Sequence, residues 1–284
     1  MKTRLSLGSH LSVAGGVSNA VAGAIDLKLG ALQIFTKNAN RWKQKALDPK
    51  EITRFKEKRA EWGPFAAGSH DSYLINMGSP DDALWEKSVV AFIDELERAE
   101  QLDLDFVVTH PGAHVGSGVE PAIERLVKGM HRVLESVPHG TTRILLENTA
   151  GQGTTLGRSF EELAAMLHGI DAPERVGVCL DTCHLYAAGY DIRTRAGYDA
   201  TMAQLEAAVG ADQVRLWHLN DSKGKLGSHL DRHEHIGQGE IGETGFQCVV
   251  QDPRFFGVPK ILETPKEDDM DPVNLATLWS LATH

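Results

Sequence analysis

Eight short runs rich in apolar and β-branched residues recur along the chain: TRLSLGSH, GALQIFT, PFAAGSH, DFVVTH, TRILLENT, RVGVCLDTCH, QVRLWHLND and PKILETP. Their apolar positions are near-continuous, the pattern of strands covered on both faces. Between most of them lie segments of helical period, such as WEKSVVAFIDELERAEQL at 85–102 and PAIERLVKGMHRVLESV at 121–137. Strands alternating with helices predict a parallel sheet, and eight such units predict an α/β fold of one (β/α)8 TIM barrel. A doubly wound open sheet would normally carry a glycine-rich phosphate turn after its first strand, and GSHLSVAGG (8–16) is not one. With no clear repeat and no low-complexity linker, residues 1–284 read as one domain.

In such a barrel the C-terminal ends of the strands surround one mouth, where active sites sit. The third run leads into His70 and the fourth into His110; the fifth ends at Glu147, the sixth at Asp181 with His184 three residues on, the seventh at His218 and the eighth at Glu263. One histidine at a strand end is usually structural, but six consecutive strands ending in His, Asp or Glu are not so easily dismissed. Burying these groups together is too costly unless cations neutralise the carboxylates. The segment GSHLDRHEHIGQGEIG (227–242) adds to the set. A charge run of this kind usually marks a solvated loop. Asp231-x-His233, however, places a carboxylate and an imidazole on one side of an extended segment, in the loop that follows strand seven and returns over the mouth. The candidate ligands are therefore His70, His110, Glu147, Asp181, His184, His218, Asp231, His233 and Glu263. Nine ligands with a bridging carboxylate exceed one ion and suit two or three, and five histidines favour zinc over magnesium.

Composition bounds the picture. The chain has 284 residues, 42% hydrophobic and 24% charged, as in an ordinary globular protein. The apolar stretch near the N-terminus is too short for a signal peptide, and no run approaches a membrane span, so no membrane partner is expected. Cys179, Cys183 and Cys248 form no disulfide framework and read as buried, inert thiols in a reducing, cytoplasmic compartment. The net charge of −10 argues at first against a polyanionic partner. Three Zn2+ ions would offset six of those ten charges, and residues 37–59 hold nine Lys/Arg against three Asp/Glu. That run reads either as a solvated helix face after a loop or as a phosphate-contacting surface.

The chain resembles the endonuclease IV family of apurinic/apyrimidinic (AP) endonucleases. The matching segments are GSHLSVAGG (8–16), FTKN (35–38), SHDSYLINM (69–77), HPG (110–112), ENTAGQGTTLG (147–157), LDTCHLYAAGYDI (180–192), HLNDSKGKLGSHLDRHEHIGQGEIG (218–242) and LETP (262–265), from the first strand to the last. The resemblance implies a (β/α)8 barrel with three zinc ions, Mn2+ replacing zinc at one site as a variant. It implies hydrolysis of the phosphodiester 5′ to an abasic site in double-stranded DNA, leaving a 3′-hydroxyl, with trimming of blocked 3′ ends, in base excision repair. Residue by residue, it assigns His70, His110 and Glu147 to one zinc, with Glu147 bridging to a second held by Asp181, His218 and Glu263. His184, Asp231 and His233 take the third. Glu147 and Glu263 form the catalytic pair, Glu147 spacing two metals and Glu263 orienting or deprotonating the attacking water. Tyr73 and Leu74 match residues placed at the DNA gap, with core packing as the alternative. In the loop after TKN, family members often carry an arginine two residues before the tryptophan. Asn40 stands there, beside Arg41 and Trp42, so Arg41 is kept only as a candidate DNA contact. A monomer is expected. The rival is a metal-dependent sugar isomerase or epimerase on the same barrel, against which stand Asp231-x-His233 and the five histidines.

Overall fold

A computed structural model describes residues 5–283, the Asp268 side chain excepted. Its strands are β1 (Leu7–His10), β2 (Ala31–Phe35), β3 (Ala66–His70), β4 (Phe106–Thr109), β5 (Arg143–Glu147), β6 (Val176–Asp181), β7 (Val214–Leu219), β8 (Asp221–Ser222), β9 (His233–Glu234) and β10 (Lys260–Leu262). β1–β7 and β10 close into a parallel barrel in the order β1-β10-β7-β6-β5-β4-β3-β2. Each of these eight lies within one of the apolar runs. β8 and β9 form a separate antiparallel ladder, Asp221 opposite Glu234 and Ser222 opposite His233, which the sequence pattern did not announce.

The helices start where their caps dictate. Asp81 accepts the Leu84 N–H at the head of Asp82–Gln101, and Asp48 accepts the Lys50 N–H with Pro49 opening Pro49–Trp62. The first of these helices buries Trp85, Val89, Phe92, Leu96 and Ala99, an i, i+3/i+4 stripe that packs in the shell between helices and barrel. No helix among the described residues is long and apolar enough to cross a membrane.

The inside of the barrel has two layers, because side chains along a strand alternate faces with period two. Ala31, Phe106, Val108, Leu145, Cys179, Leu216 and Ile261 form a closed apolar plug. Two residues further along their strands, on the same inner face, stand His110, Glu147, Asp181, His218 and Glu263. His70 takes the same place above Gly68 on β3. The apolar plug thus forms the floor beneath every strand-borne candidate ligand.

Gly68 is small for a reason: a Cβ there would fall on the ring of buried Phe106. Gly68→Ala should therefore lower stability by about 1–3 kcal/mol through overpacking, read as a drop in the urea midpoint. An unchanged midpoint would mean that Phe106 moves aside at no cost.

Candidate metal centre

All nine candidate ligands meet at the C-terminal mouth of the barrel. Their donor atoms fall into three groups, within each of which they lie within 4.8 Å of one another: His70, His110 and Glu147; Glu147, Asp181, His218 and Glu263; and His184, Asp231 and His233. Glu147, fully buried at the end of β5, belongs to two of them. Its Oε2 lies 3.1 Å from His70 Nε2 and 3.2 Å from His110 Nε2, while Oε1 lies 2.8 Å from His218 Nδ1. Each carboxylate oxygen therefore faces a different group. In the third group, Asp231 Oδ1 stands 3.2 Å from both His184 Nε2 and His233 Nε2.

The loop that delivers Asp231 and His233 is folded by Asp221. Its buried carboxylate accepts the backbone N–H groups of Gly237, Gly239, Ile241 and Gly242, curling the glycine-studded run under the β8–β9 ladder. His235 lies outside the cluster, its Nδ1 3.1 Å from the Asn274 amide nitrogen.

Ring orientation is set from behind. His70 donates Nδ1–H to the Asp71 carbonyl (3.1 Å), His184 to the Asn148 carbonyl (2.9 Å) and His233 to the Glu263 carbonyl (3.0 Å), so each turns Nε2 toward its group. His218 is reversed: Nε2 faces the Gln33 side-chain oxygen at 2.9 Å and Nδ1 faces the cluster. Such outer hydrogen bonds hold the rings of metal-ligating histidines. His233 Nε2 is buried and faces the cluster, 3.2 Å from Asp231 Oδ1. Nitrogen and carboxylate donors in these groups fit a metal cofactor.

A family model described as a xylose isomerase-like TIM barrel matches residues 21–281. A protein named probable endonuclease 4 from Chloroflexus aurantiacus is 50% identical over 276 residues, 96% of this chain and 97% of that one. The chain belongs to the endonuclease IV family. Another probable endonuclease 4, from Citrifermentans bemidjiense, is 45% identical over 97% of this chain and 98% of its own length. The crystal structure of endonuclease IV from Thermus thermophilus superposes with a TM-score of 0.87 at 40% identity, covering 98% of this chain and 99% of that one. A D-tagatose 3-epimerase-like protein, 20% identical with a TM-score of 0.75 over 98% of each chain, shares the fold alone.

For a member of the endonuclease IV family, the electrostatics of these groups explain why cations belong there. Burial acts most strongly on every group and disfavours charge, yet the mutual fields of carboxylates and imidazoles overcome it. Burial lowers the pKa of His70, but the hydrogen bond and charge of Glu147 carry it to about 10. Burial likewise opposes charge on His233, which Asp231 and Asp181 lift to about 9. His184 and His218 are raised against burial by the carboxylates around them. Glu147, Glu263 and Asp231 are held below the usual carboxylate range against the same burial penalty, chiefly by the neighbouring histidines. Protons on the rings thus supply the positive charge that ions would otherwise supply. Cys179 and Cys183 also approach the ligand atoms, but burial pushes both thiols up, Cys183 to about 12. All three cysteines are free and buried.

Sequence reading missed two residues of the centre. His10 Nδ1 lies 3.2 Å from Glu263 Oε1, and the buried Gln33 amide nitrogen lies 2.6 Å from the same oxygen. The tripeptide GSH occurs at 8–10, 68–70 and 227–229, but only the first two close an apolar run, a repetition that could have marked His10 alongside His70. Gln33 carries no such signal.

On the rim, Tyr73 is 64% exposed and packs edge-on to Phe35, which corrects the core alternative for this residue; Leu74 is partly buried. The basic run 37–59 is not one surface. Lys37 is buried and paired with Asp94 (2.7 Å), while Lys56 and Arg59 pair with Asp103 (2.8 Å) and Asp105 (2.7 Å). Those two aspartates precede β4, at the barrel end away from the mouth. Arg41, Lys43 and Lys45 remain exposed on the loop after β2. That loop is pinned to the helix Asp82–Gln101, with Arg98 donating to the Lys45 carbonyl (2.7 Å) and the Lys87 ammonium 4.1 Å from the Trp42 ring centre.

The raised histidines set the sign of a pH effect. Their folded pKa values, about 10 for His70 and about 9 for His233, stand above the ordinary 6.5. In chelated protein their stabilisation is complete below about pH 6.5 and lost as pH rises toward those values. The melting temperature of EDTA-treated protein should thus fall between about pH 6.5 and about pH 8. Metal-loaded protein should hold or gain stability there, because ligands bind metal deprotonated. A rise in the chelated sample would contradict these ring environments.

Proposed function

We propose that this protein, a DNA-cleaving hydrolase by family, cuts the phosphodiester on the 5′ side of an abasic site in duplex DNA, leaving a 3′-hydroxyl. The observation that carries this reading is Glu147, whose two oxygens face two separate ligand groups. His70, His110 and Glu147 would hold one ion, Glu147, Asp181, His218 and Glu263 a second, and His184, Asp231 and His233 a third. Five imidazoles among the nine ligands favour zinc, with Mn2+ the alternative at one site. One chain supplies every ligand, so a monomer suffices.

When bound, the zinc ions supply a nucleophile from water at neutral pH and neutralise charge on the phosphate oxygens. The protein's own groups do the positioning. Glu147 spaces the two groups it joins. Glu263 has one oxygen held by the Gln33 amide, with the other 3.2 Å from His218 Nδ1, and serves to orient or deprotonate the attacking water. Trimming of blocked 3′ ends needs the same groups and is assigned to the same centre.

Recognition is read as shape and flexibility. An abasic nucleotide lacks stacking, so its extrusion toward the mouth costs less than that of a paired base. The exposed Tyr73 ring, braced by Phe35, would fill the gap together with Leu74. Arg41, Lys43 and Lys45 would contact phosphates without reading sequence.

Elemental analysis should find about three divalent ions per chain, chiefly zinc. His233→Ala should lose about one of them, while His235→Ala, bonded to Asn274 instead, should keep the full set. One ion or fewer in the wild type, or equal losses in the two variants, would defeat the ligand assignment.

Glu263→Gln should slow single-turnover cleavage of a duplex with one abasic site by about a hundredfold or more. Equilibrium binding of that duplex should change little, because rim contacts supply it. Metal content is measured alongside, and equal losses in rate and binding would remove Glu263 from the catalytic role.

A further inference from the structure

The orientation of His218 depends on a chain of hydrogen bonds whose donors and acceptors can be deduced. A carboxylate only accepts. The end of the Gln33 amide that lies 2.6 Å from Glu263 Oε1 is therefore the nitrogen. The amide oxygen then faces His218 Nε2 at 2.9 Å. An amide oxygen also only accepts, so Nε2 carries a proton and the neutral ring keeps its lone pair on Nδ1. That atom lies 2.8 Å from Glu147 Oε1 and 3.2 Å from Glu263 Oε2, inside the cluster.

The other rings differ in kind. His70, His184 and His233 are held by main-chain carbonyls, which no side-chain substitution removes. Gln33 is a side chain, fully buried on the inner face of β2. Its register partners are His10 on β1 and Gly68 on β3, and Gly68 places no side chain beside it. The second hydrogen of the amide has His10 Nδ1 within 3.0 Å. Every polar atom of Gln33 is thus engaged with the centre, though none of them belongs to the ligand set.

We infer that Gln33 is a positioning residue of the metal centre: it selects the His218 tautomer that presents Nδ1 and pins one oxygen of Glu263. It thereby sets how firmly the Glu147–Asp181–His218–Glu263 group holds its ion and leaves the His184–Asp231–His233 group untouched. The inference rests on the ligand set proposed above.

The first test needs no variant beyond an assignment control. In protein with 15N-labelled histidine, loaded with zinc, the His218 signals (identified by their loss in His218→Gln) should show Nε2 protonated and Nδ1 metal-bound. His70, His184 and His233 should show the reverse. A proton on His218 Nδ1 overturns the inference. The second test is release of zinc from loaded protein to a chromogenic chelator. In Gln33→Leu one ion should leave about ten- to a hundredfold faster than in the wild type, and the others at wild-type rates. Gln33→Met, which keeps the length and removes the amide, should behave alike. Wild-type release in both variants, or equal acceleration of every ion, also overturns it. Wild-type protein that takes up no zinc defeats the ligand set itself, and the inference with it.

Discussion

Everything at the mouth of this barrel follows from the burial of one carboxylate. Glu147 has no exposed surface, yet four histidines, His70, His110, His184 and His218, stand within 3.4 Å of its oxygens. Desolvating a carboxylate to this degree is tolerable only with positive charge around it. Protons on the rings would supply that charge, and divalent ions would deliver more of it to the same place. The same requirement explains why a chain carrying a net charge of −10 can act on a polyanion. Some of its carboxylates are turned inward, onto imidazoles, and do not face the substrate.

The barrel makes such a cluster possible because strand periodicity separates its two duties. One inner layer is apolar and closed, with Gly68 making room for the ring of Phe106. The next layer is polar and convergent, with His110, Glu147, Asp181, His218 and Glu263 each two residues beyond a plug residue. An apolar, buried floor beneath the ligands keeps the local dielectric low, which strengthens every charge interaction above it. Behind the ligands, main-chain carbonyls hold three of the five rings and Gln33 a fourth. Six ligand positions are therefore properties of the barrel strands and their register, while the helix after β6 and the loop after β7 add His184, Asp231 and His233.

The rim itself is built by pinning. The loop after β2 is tied to the neighbouring helix through Arg98 and Trp42, which leaves Arg41, Lys43 and Lys45 in solvent. Asp221 ties the loop after β7 by its backbone amides. Each anchor spends a buried polar group to hold a segment whose free side chains are the useful ones.

Taken alone, the sequence determined the eight strands, their parallel closure and the nine ligand candidates, because apolar runs with polar ends are local patterns and barrel closure gathers the ends at one mouth. It also brought Asp231 and His233 together by i, i+2 alternation, but the same alternation includes His235, which only its contact with Asn274 sets apart. What it could not determine was anything carried by contacts across the barrel. Gln33 sits in the middle of an apolar run and becomes part of the centre only when β2 meets β10 and β7. Lys37, Lys56 and Arg59 read as free cations until the fold places Asp94, Asp103 and Asp105 beside them. Tyr73 reads equally as core or rim until the loop after β3 turns it outward onto Phe35. Side-chain type and spacing are written along the chain, but the partner that neutralises a charge or orients a ring comes from distant positions. Only tertiary packing brings such partners together.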